Sequence, residues 1–417
     1  MIRRGLILLI VLAHALLAAG VSAAEISGVC GTDVRWTLSD GMLTVSGIGP
    51  MADYTKNTVP WKEYRAEIRT VTVAAGVTAV GNHAFDGCEA LSAVILPDGV
   101  TRIGAGALYG CAELASVRLP DTVTRVGNSA FAACGQLREI TLSETLRIIE
   151  DLAFDQCAAL TEIDLPDTVS SIGSKAFRGT GLRAVRLPGG LQLMGLSVFE
   201  SCADLEEVVW TPSVTEVPAL TFSYDWSPNR LASVSLPEGV RKIGESAFSA
   251  AAGLKRIYLP ASLQLIDSGA FAPCSALTDV YYAGTAGQKE DIQINTGNDC
   301  LLDAQWHLEA LPGECEKGIH VLEDGACRYC RRSFLPDGPE VIRLPEGLIR
   351  LEAEALSGVS GQAAVVPPDC GQIGSRAFAD CPALRLLFLP QGIVLAPDAL
   401  SGTAAEIVYY SGPLPPD

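Results

Sequence analysis

The stretch Val117-Arg118-Leu119-Pro120-Asp121-Thr122-Val123-Thr124-Arg125-Val126-Gly127-Asn128-Ser129-Ala130-Phe131-Ala132-Ala133-Cys134 contains one full unit of a repeating pattern. Val117 and Leu119 alternate with Arg118, the period-2 signature of a half-buried strand. Pro120 ends that strand because it has no N–H to give to a ladder. Val123 and Val126 turn back to the interior, and Gly127 permits a turn that side-chained residues resist. Ala130 and Phe131 are then expected on a short helical turn, after which Leu137 returns the chain to the next strand at Glu139-Ile140-Thr141-Leu142.

The unit recurs. Leu-Pro falls at Pro97, Pro120, Pro166, Pro188, Pro237 and Pro260, and Ala74, Ser143, Pro212 and Ala283 occupy the same slot in weaker copies, a spacing of about 23 residues. A unit this short cannot bury its own apolar face, so such units stack, each contacting its neighbours. The expected architecture is a leucine-rich-repeat solenoid, β-rich with short helical turns, carrying a parallel sheet on one face. A second, shorter array follows at Leu344-Pro345, Val366-Pro367 and Leu389-Pro390, with Ile373-Gly374-Ser375-Arg376-Ala377-Phe378-Ala379-Asp380-Cys381 as its clearest copy.

These motifs resemble the BspA-like leucine-rich-repeat surface protein family: Val/Ile-x-Leu-Pro, then Val-x-x-Ile/Val-Gly, then Ala-Phe-x-x-Cys, as across Ile95 to Cys111 and Ile257 to Cys274. Gly28-Val29-Cys30-Gly31, Trp36-Thr37-Leu38, Gly41 to Val45, Met51 to Tyr54 and Pro60-Trp61 are similar to the β-rich N-terminal cap of such arrays. Val280-Tyr281-Tyr282-Ala283-Gly284-Thr285 through Asn298, with Trp306-His307, is similar to their closing unit. The resulting division is a signal peptide over 1–24, a cap over 25–70, an array with its closing unit over 71–307, a Cys-containing linker element over 308–334, a second array over 335–412 and a tail over 413–417. The resemblance implies a bacterial surface protein that adheres to host or microbial proteins or glycans.

The first segment reads as a secretory signal: Arg3 and Arg4, an apolar run from Leu6 to Leu17, then the small residues Val21-Ser22-Ala23-Ala24. No second run of spanning length follows, so the mature chain is expected to be secreted or cell-surface associated, without a transmembrane segment. With 30 Lys+Arg against 48 Asp+Glu the net charge is −18, which argues against nucleic-acid or anionic-membrane partners. At 48% hydrophobic and 19% charged residues the composition is that of a folded chain.

Seven of the 13 cysteines, Cys88, Cys111, Cys134, Cys157, Cys202, Cys274 and Cys381, share one repeat slot, where Thr180, Asp225, Ala251 and Val359 also appear. A slot that accepts Thr, Ala or Val is a packing slot, and a ladder of free thiols is preferred there to disulfides. Cys315, His320, Cys327 and Cys330 are different: two Cys at one end and a Cys and a His at the other offer the four ligands of a structural zinc site. Disulfides or loose thiols are the competing reading, and a redox CxxC lacks its strand-then-helix context.

No nucleophile elbow, phosphate loop or His-Glu-x-x-His motif is present, and the chain is read as non-enzymatic. His83 is expected as an exposed helix residue, and no pocket for a small ligand is evident. Binding is expected on the outward column of the Leu-Pro strands, read as Thr72, Ile95, Arg118, Thr141, Asp164, Arg186, Trp210, Ser235, Tyr258 and Tyr281. Its aromatics Trp210, Tyr258 and Tyr281 are the candidate contacts, with Tyr224 and Trp226 on the longer copy between Pro212 and Pro237. Protein or glycan partners are expected; the alternative is a structural module of a surface layer with no separate ligand.

Overall fold

The computed structural model describes residues 25–223, 229–249, 251–308, 319–323, 326–327, 341–344, 348, 350–351, 353–357, 361–368 and 370–410. Strands β1 (Ile26–Val29), β2 (Asp33–Ser39) and β3 (Met42–Pro50) form an antiparallel meander. Asp40 and Gly41, both at positive φ (50° and 77°), close the β2–β3 hairpin as a tight two-residue turn requires. Val34, Trp36, Leu38, Leu43 and Val45 alternate inward. β3 then pairs in parallel with β4 (Thr70–Val73), Leu43 opposite Val71, and the antiparallel cap becomes the first rung of a parallel stack.

Trp61 carries the handover in the core. Fully buried, it stands edge-on to Trp36 at 5.5 Å, stacks on Phe85 at 5.8 Å and donates its Nε1–H to Ala84 O at 2.8 Å. From Phe131 the repeat phenylalanines stack face to face through Phe154, Phe177, Phe199, Phe222, Phe248 and Phe271, with centroids 5.1 to 5.9 Å apart. Leu108, equally buried, fills the Phe slot between Phe85 and Phe131.

Each coil has three corners at which it can be tied to the next. The first is the Leu-Pro strand. The second is the Val/Ile-Gly strand, continuous from Arg102–Ile103 through Arg125–Val126, Ile148–Ile149 and Ser171–Ile172 to Leu193–Met194. Gly127 follows it because a Cβ there would come within 2.7 Å of the Ala105 amide in the previous coil. The third is the Ala-Phe turn, which is not helical. Ala130, Ala132 and Cys134 donate their amides three residues back, to Gly127, Ser129 and Phe131. The alternate amides of Ser129, Phe131 and Ala133 donate instead to Asp151, Ala153 and Asp155 of the next coil. Turning every second N–H outward puts Ser129 and Ala133 at φ +53° and +59°, incompatible with a helix. Among the described residues helices are confined to Lys62–Tyr64, Ala286–Glu290 and Asp299–Asp303.

The first array ends in the closing unit. Thr285 caps Ala286–Glu290 through a capping box with Gln288, and Gln305–Leu308 adds a last parallel strand beside Asp279–Tyr282. The second array has its own core, built on Ile373, Phe378, Cys381, Leu387 and Leu389. Its strands Val341–Arg343, Ala363–Val365, Leu386–Pro390 and Glu406–Tyr410 are consecutive neighbours. The segment expected as a linker joins that sheet: Ile319–Glu323 pairs in parallel with Glu406–Tyr410 and antiparallel with Ala326–Cys327. It therefore covers the final strand's open edge. The side chains of the proposed zinc ligands Cys315, His320, Cys327 and Cys330 lie outside the described residues, as do Tyr224 and Trp226.

The cysteine slot forms a ladder of free, buried thiols. Cys111, Cys134, Cys157, Cys202 and Cys274 each donate Sγ–H to a main-chain carbonyl of the previous coil (Phe85, Leu108, Phe131, Phe177 and Phe248) at 3.1 to 3.3 Å. Thr180 in the same slot donates its hydroxyl to Phe177 O. Burial pushes the Cys134 and Cys274 thiols up to about 12 and that of Cys157 well above its ordinary value. At pH 8 a thiol of that pKa is ionised at about one part in 10⁴, and only the thiolate attacks. Alkylation of the native protein, read by mass spectrometry of the labelled peptides, is therefore expected to modify half-exposed Cys300 before any cysteine of the ladder. The ladder cysteines should react only as fast as the protein unfolds; ladder labelling as rapid as that of Cys300 would contradict this packing.

Candidate functional site

The outward column of the Leu-Pro strands differs from its expected reading at one residue. Arg186 pairs with Val209, not Trp210, so Val209 points outward. Trp210 occupies the inward slot of Leu119, Leu142 and Leu187; it is fully buried and edge-on to Phe222 at 6.2 Å. The slip comes from the proline: Thr211, not Pro212, fills the slot of Pro188, its buried hydroxyl donating to Pro188 O, and Val214 N donates to Thr211 O as Leu191 N does to Pro188 O. Trp210 is thus a core residue and is withdrawn as a surface contact.

Tyr258 and Tyr281 do stand in the column, in register with Ser235 and followed by His307. Tyr258, Tyr281 and His307 stack with centroids 4.5 Å apart and planes 15° off parallel. Tyr258 is only 7% exposed, and both faces of Tyr281 are taken by its neighbours. Ring faces used in this way hold adjacent rungs together and leave edges for contact.

The column opens elsewhere. Glu139–Thr141 pairs with the strand before it, and Ala184–Arg186 with the strand after it. Between them Glu162-Ile163-Asp164 is not a strand, and among the described residues no hydrogen bond reaches the backbone of 162–165 from either neighbouring coil. The nearest crossing bond is Arg183 N to Thr161 O. The other two corners stay closed: Ile149 pairs with Ile172, and Phe154 N donates to Ala176 O at 2.8 Å. A closed ladder here would put Glu139 directly opposite Glu162, and like charges in that position destabilise pairing.

The opening is a cleft of 950 Å³ spanning Arg138 to Arg186, with Val209 at its far side. Ile140, Ile163 and Leu165, exposed by 6 to 8%, form its floor. Its walls carry Glu139, Glu144, Glu162, Asp164 and Asp167 against Arg138 and Arg186. Arg186 is bound to Asp167 at 2.9 Å, and among the described residues the other four carboxyls make no ion pair. Of these residues the sequence reading had placed Asp164 and Arg186 on the outward column; the signal for the cleft was Glu in the same slot of two successive coils.

No helix among the described residues is long and apolar enough to cross a membrane, and none of their His, Cys, Asp and Glu side chains group as a metal site. At the closing unit, His307 Nε2–H donates to Asp279 Oδ1 at 2.8 Å and Thr278 to Oδ2 at 2.7 Å. The hydrogen bond from His307, then that from Thr278, holds the Asp279 carboxyl below its usual range. A depressed folded-state pKa contributes stability above the unfolded value of about 4 and loses it as pH falls through the folded value. Asp279→Asn should accordingly flatten the fall of Tm with acidification below about pH 4; an unaltered acid limb would show that the pair does not contribute.

A comparison with curated proteins finds no match. Similar solved structures include a leucine-rich cell surface protein from Faecalibacterium prausnitzii (20% identity, 94% of this chain and 96% of that one, TM-score 0.43). Leucine-rich repeat proteins from Eubacterium ventriosum (18%, 92% and 96%, 0.41) and Bacteroides ovatus (17%, 91% and 99%, 0.41) are also similar. The model of the BspA type leucine-rich repeat region matches in six copies, over residues 63–177, 147–278 and 338–406. These spans cover more than half of the sequence and coincide with the stacked coils, so the chain belongs to the BspA-type leucine-rich repeat family.

Proposed function

We infer that this chain is a non-enzymatic binding protein of the bacterial surface or its surroundings, and that it seats an extended, basic segment of a partner protein in the cleft between Glu139 and Arg186. The observation that carries this reading is the unpaired backbone of Glu162–Leu165. The strands on either side are paired, Glu139–Thr141 with Ser116–Arg118 and Ala184–Arg186 with Glu207–Val209, whereas here N–H and C=O groups are left at the floor of a groove. An extended segment can add itself to such an edge, with its main chain giving affinity and alternate side chains giving specificity. Five carboxyls against two guanidinium groups select Lys or Arg on that segment and reject acidic ones. The export signal expected over 1–24 supports a location outside the cell.

The test is fluorescence polarisation with labelled peptides of equal length, alternating Lys-Thr or Glu-Thr. The Lys-Thr peptide should bind, and its affinity should fall as salt is raised, since exposed charges are screened. N-methylation of alternate backbone amides should weaken binding about tenfold, the loss of one or two hydrogen bonds. Glu162→Lys/Asp164→Lys should abolish it without lowering the Tm, since a lysine at position 162 would face Glu139 with opposite charge. Equal binding of both peptides, or of neither, rejects the cleft as the seat; association of identical copies in place of peptide binding would support the surface-layer alternative.

A further inference from the structure

The segment that covers the end of the second array carries a set of soft ligands that the cleft does not use, Cys315-x4-His320-x6-Cys327-x2-Cys330. Two other histidines are already engaged. His83, at φ +52° on an Ala-Phe turn and therefore not helical, lies 2.9 Å from Asp86 Oδ2, and His307 donates to Asp279. The ladder cysteines are engaged too, packed in the core with their thiols on main-chain carbonyls.

Backbone pairing brings two of the four residues together. In the antiparallel hairpin of Ile319–Glu323 with Ala326–Cys327, Leu322 is directly opposite Cys327, and residues so placed share a face of the sheet. His320, two residues before Leu322, lies on that same face. It is the diagonal neighbour of Cys327, at a separation of about 7–8 Å. A His and a Cys span that distance through one ion, with bonds of about 2.1 and 2.3 Å. Cys330 follows Cys327 by three residues and Cys315 precedes His320 by five, so the chain allows them at most about 10 and about 17 Å of separation from these partners.

The face itself is a second observation. His320 is in parallel register with Val408 and Leu322 with Tyr410, and Val408 is in register with Phe388. Phe388 and Val408 are fully buried and Tyr410 is 3% exposed, whereas the outward column of the first array is exposed at Arg118, Thr141, Asp164 and Arg186. His320 and Cys327 therefore belong to an apolar face whose other members are shielded from water. Polar groups on such a face are costly unless partnered, and an apolar shell limits solvent access to a bound metal. A disulfide would use two of the three thiols and leave the third, and the imidazole, without a partner; a tetrahedral zinc ion takes all four. Thiolate and imidazole ligands also select zinc over magnesium or calcium. We propose that Cys315, His320, Cys327 and Cys330 bind one structural zinc ion, which clasps the hairpin to the last strand of the second array. The thiols bind as thiolates, so uptake of the ion releases their protons.

The experiment is elemental analysis of the full chain, isolated without added metal, followed by competition for Zn2+ against a chromogenic chelator. One zinc per chain should be found, with a Kd of about 50 nM or tighter. His320→Ala and Cys327→Ser should each lose it, whereas Cys134→Ser, in the ladder, should retain it. Because the first two variants can disturb the second array, two measurements on the unaltered chain accompany them. Co2+ alone, added after zinc removal, should give the visible absorption of a tetrahedral site with a thiolate charge-transfer band. Zinc should also protect Cys315, Cys327 and Cys330 from alkylation, and a chelator should expose them. A chain that holds no zinc and gives no tetrahedral cobalt spectrum would overturn the proposal. So would a disulfide among the three cysteines of the isolated protein, or zinc retained by both His320→Ala and Cys327→Ser.

Discussion

The alternation of amide direction in the Ala-Phe turn is the constraint on which the rest of the molecule depends. A turn that bonded only within itself would curl into a helix and leave its coil independent of the next. By sending Ser129, Phe131 and Ala133 amides to the following coil, each unit leaves half of its turn donors dependent on a neighbour. The left-handed residues, the stacked phenylalanines and the thiol ladder all follow from fixing that corner at the same place in each coil. Unpaired buried amides are expensive, so the array is stable as a stack and must be terminated. The cap does this with an antiparallel meander, the closing unit with Gln305–Leu308, and the second array with Ile319–Glu323.

Two closed corners are enough to hold a coil, so the third is free to vary. At Glu162–Leu165 the Leu-Pro ladder opens while Ile149–Ile172 and Phe154–Ala176 remain bonded. The same opening in an isolated sheet would separate it into two pieces. A solenoid of this kind can therefore cut a charged cleft into one face at the cost of a few hydrogen bonds, without giving up its aromatic core.

Much of this was legible in the sequence. The period, the cap, the two arrays and the inward residues follow from Leu-Pro spacing and from alternation, because each is set by local chain geometry repeated many times. What the sequence concealed was phase and pairing. Trp210 was misplaced because Pro212 stands one residue past the slot that Thr211 fills, a shift visible only once Arg186 is seen opposite Val209. The short helix expected at Ala130-Phe131 failed because the 130, 131, 134 spacing of a buried turn serves an alternating turn as well as a helix. The role of Ile319–Glu323 was hidden because it pairs with a strand more than 80 residues later, a contact that no local pattern encodes.

The cleft arises where one coil departs from the regular ladder. Glu139 and Glu162 occupy the same slot of successive coils, where a closed ladder would set like charges opposite each other. The fold is unchanged there, and backbone groups that the repeat would normally pair are left at the opening. In a repeat array the regular columns state what the scaffold requires, so an unmet requirement in one coil marks where an external group can be received. Conspicuous aromatics are a poorer guide: Trp210 serves the core, and Tyr258 and Tyr281 spend their faces on each other.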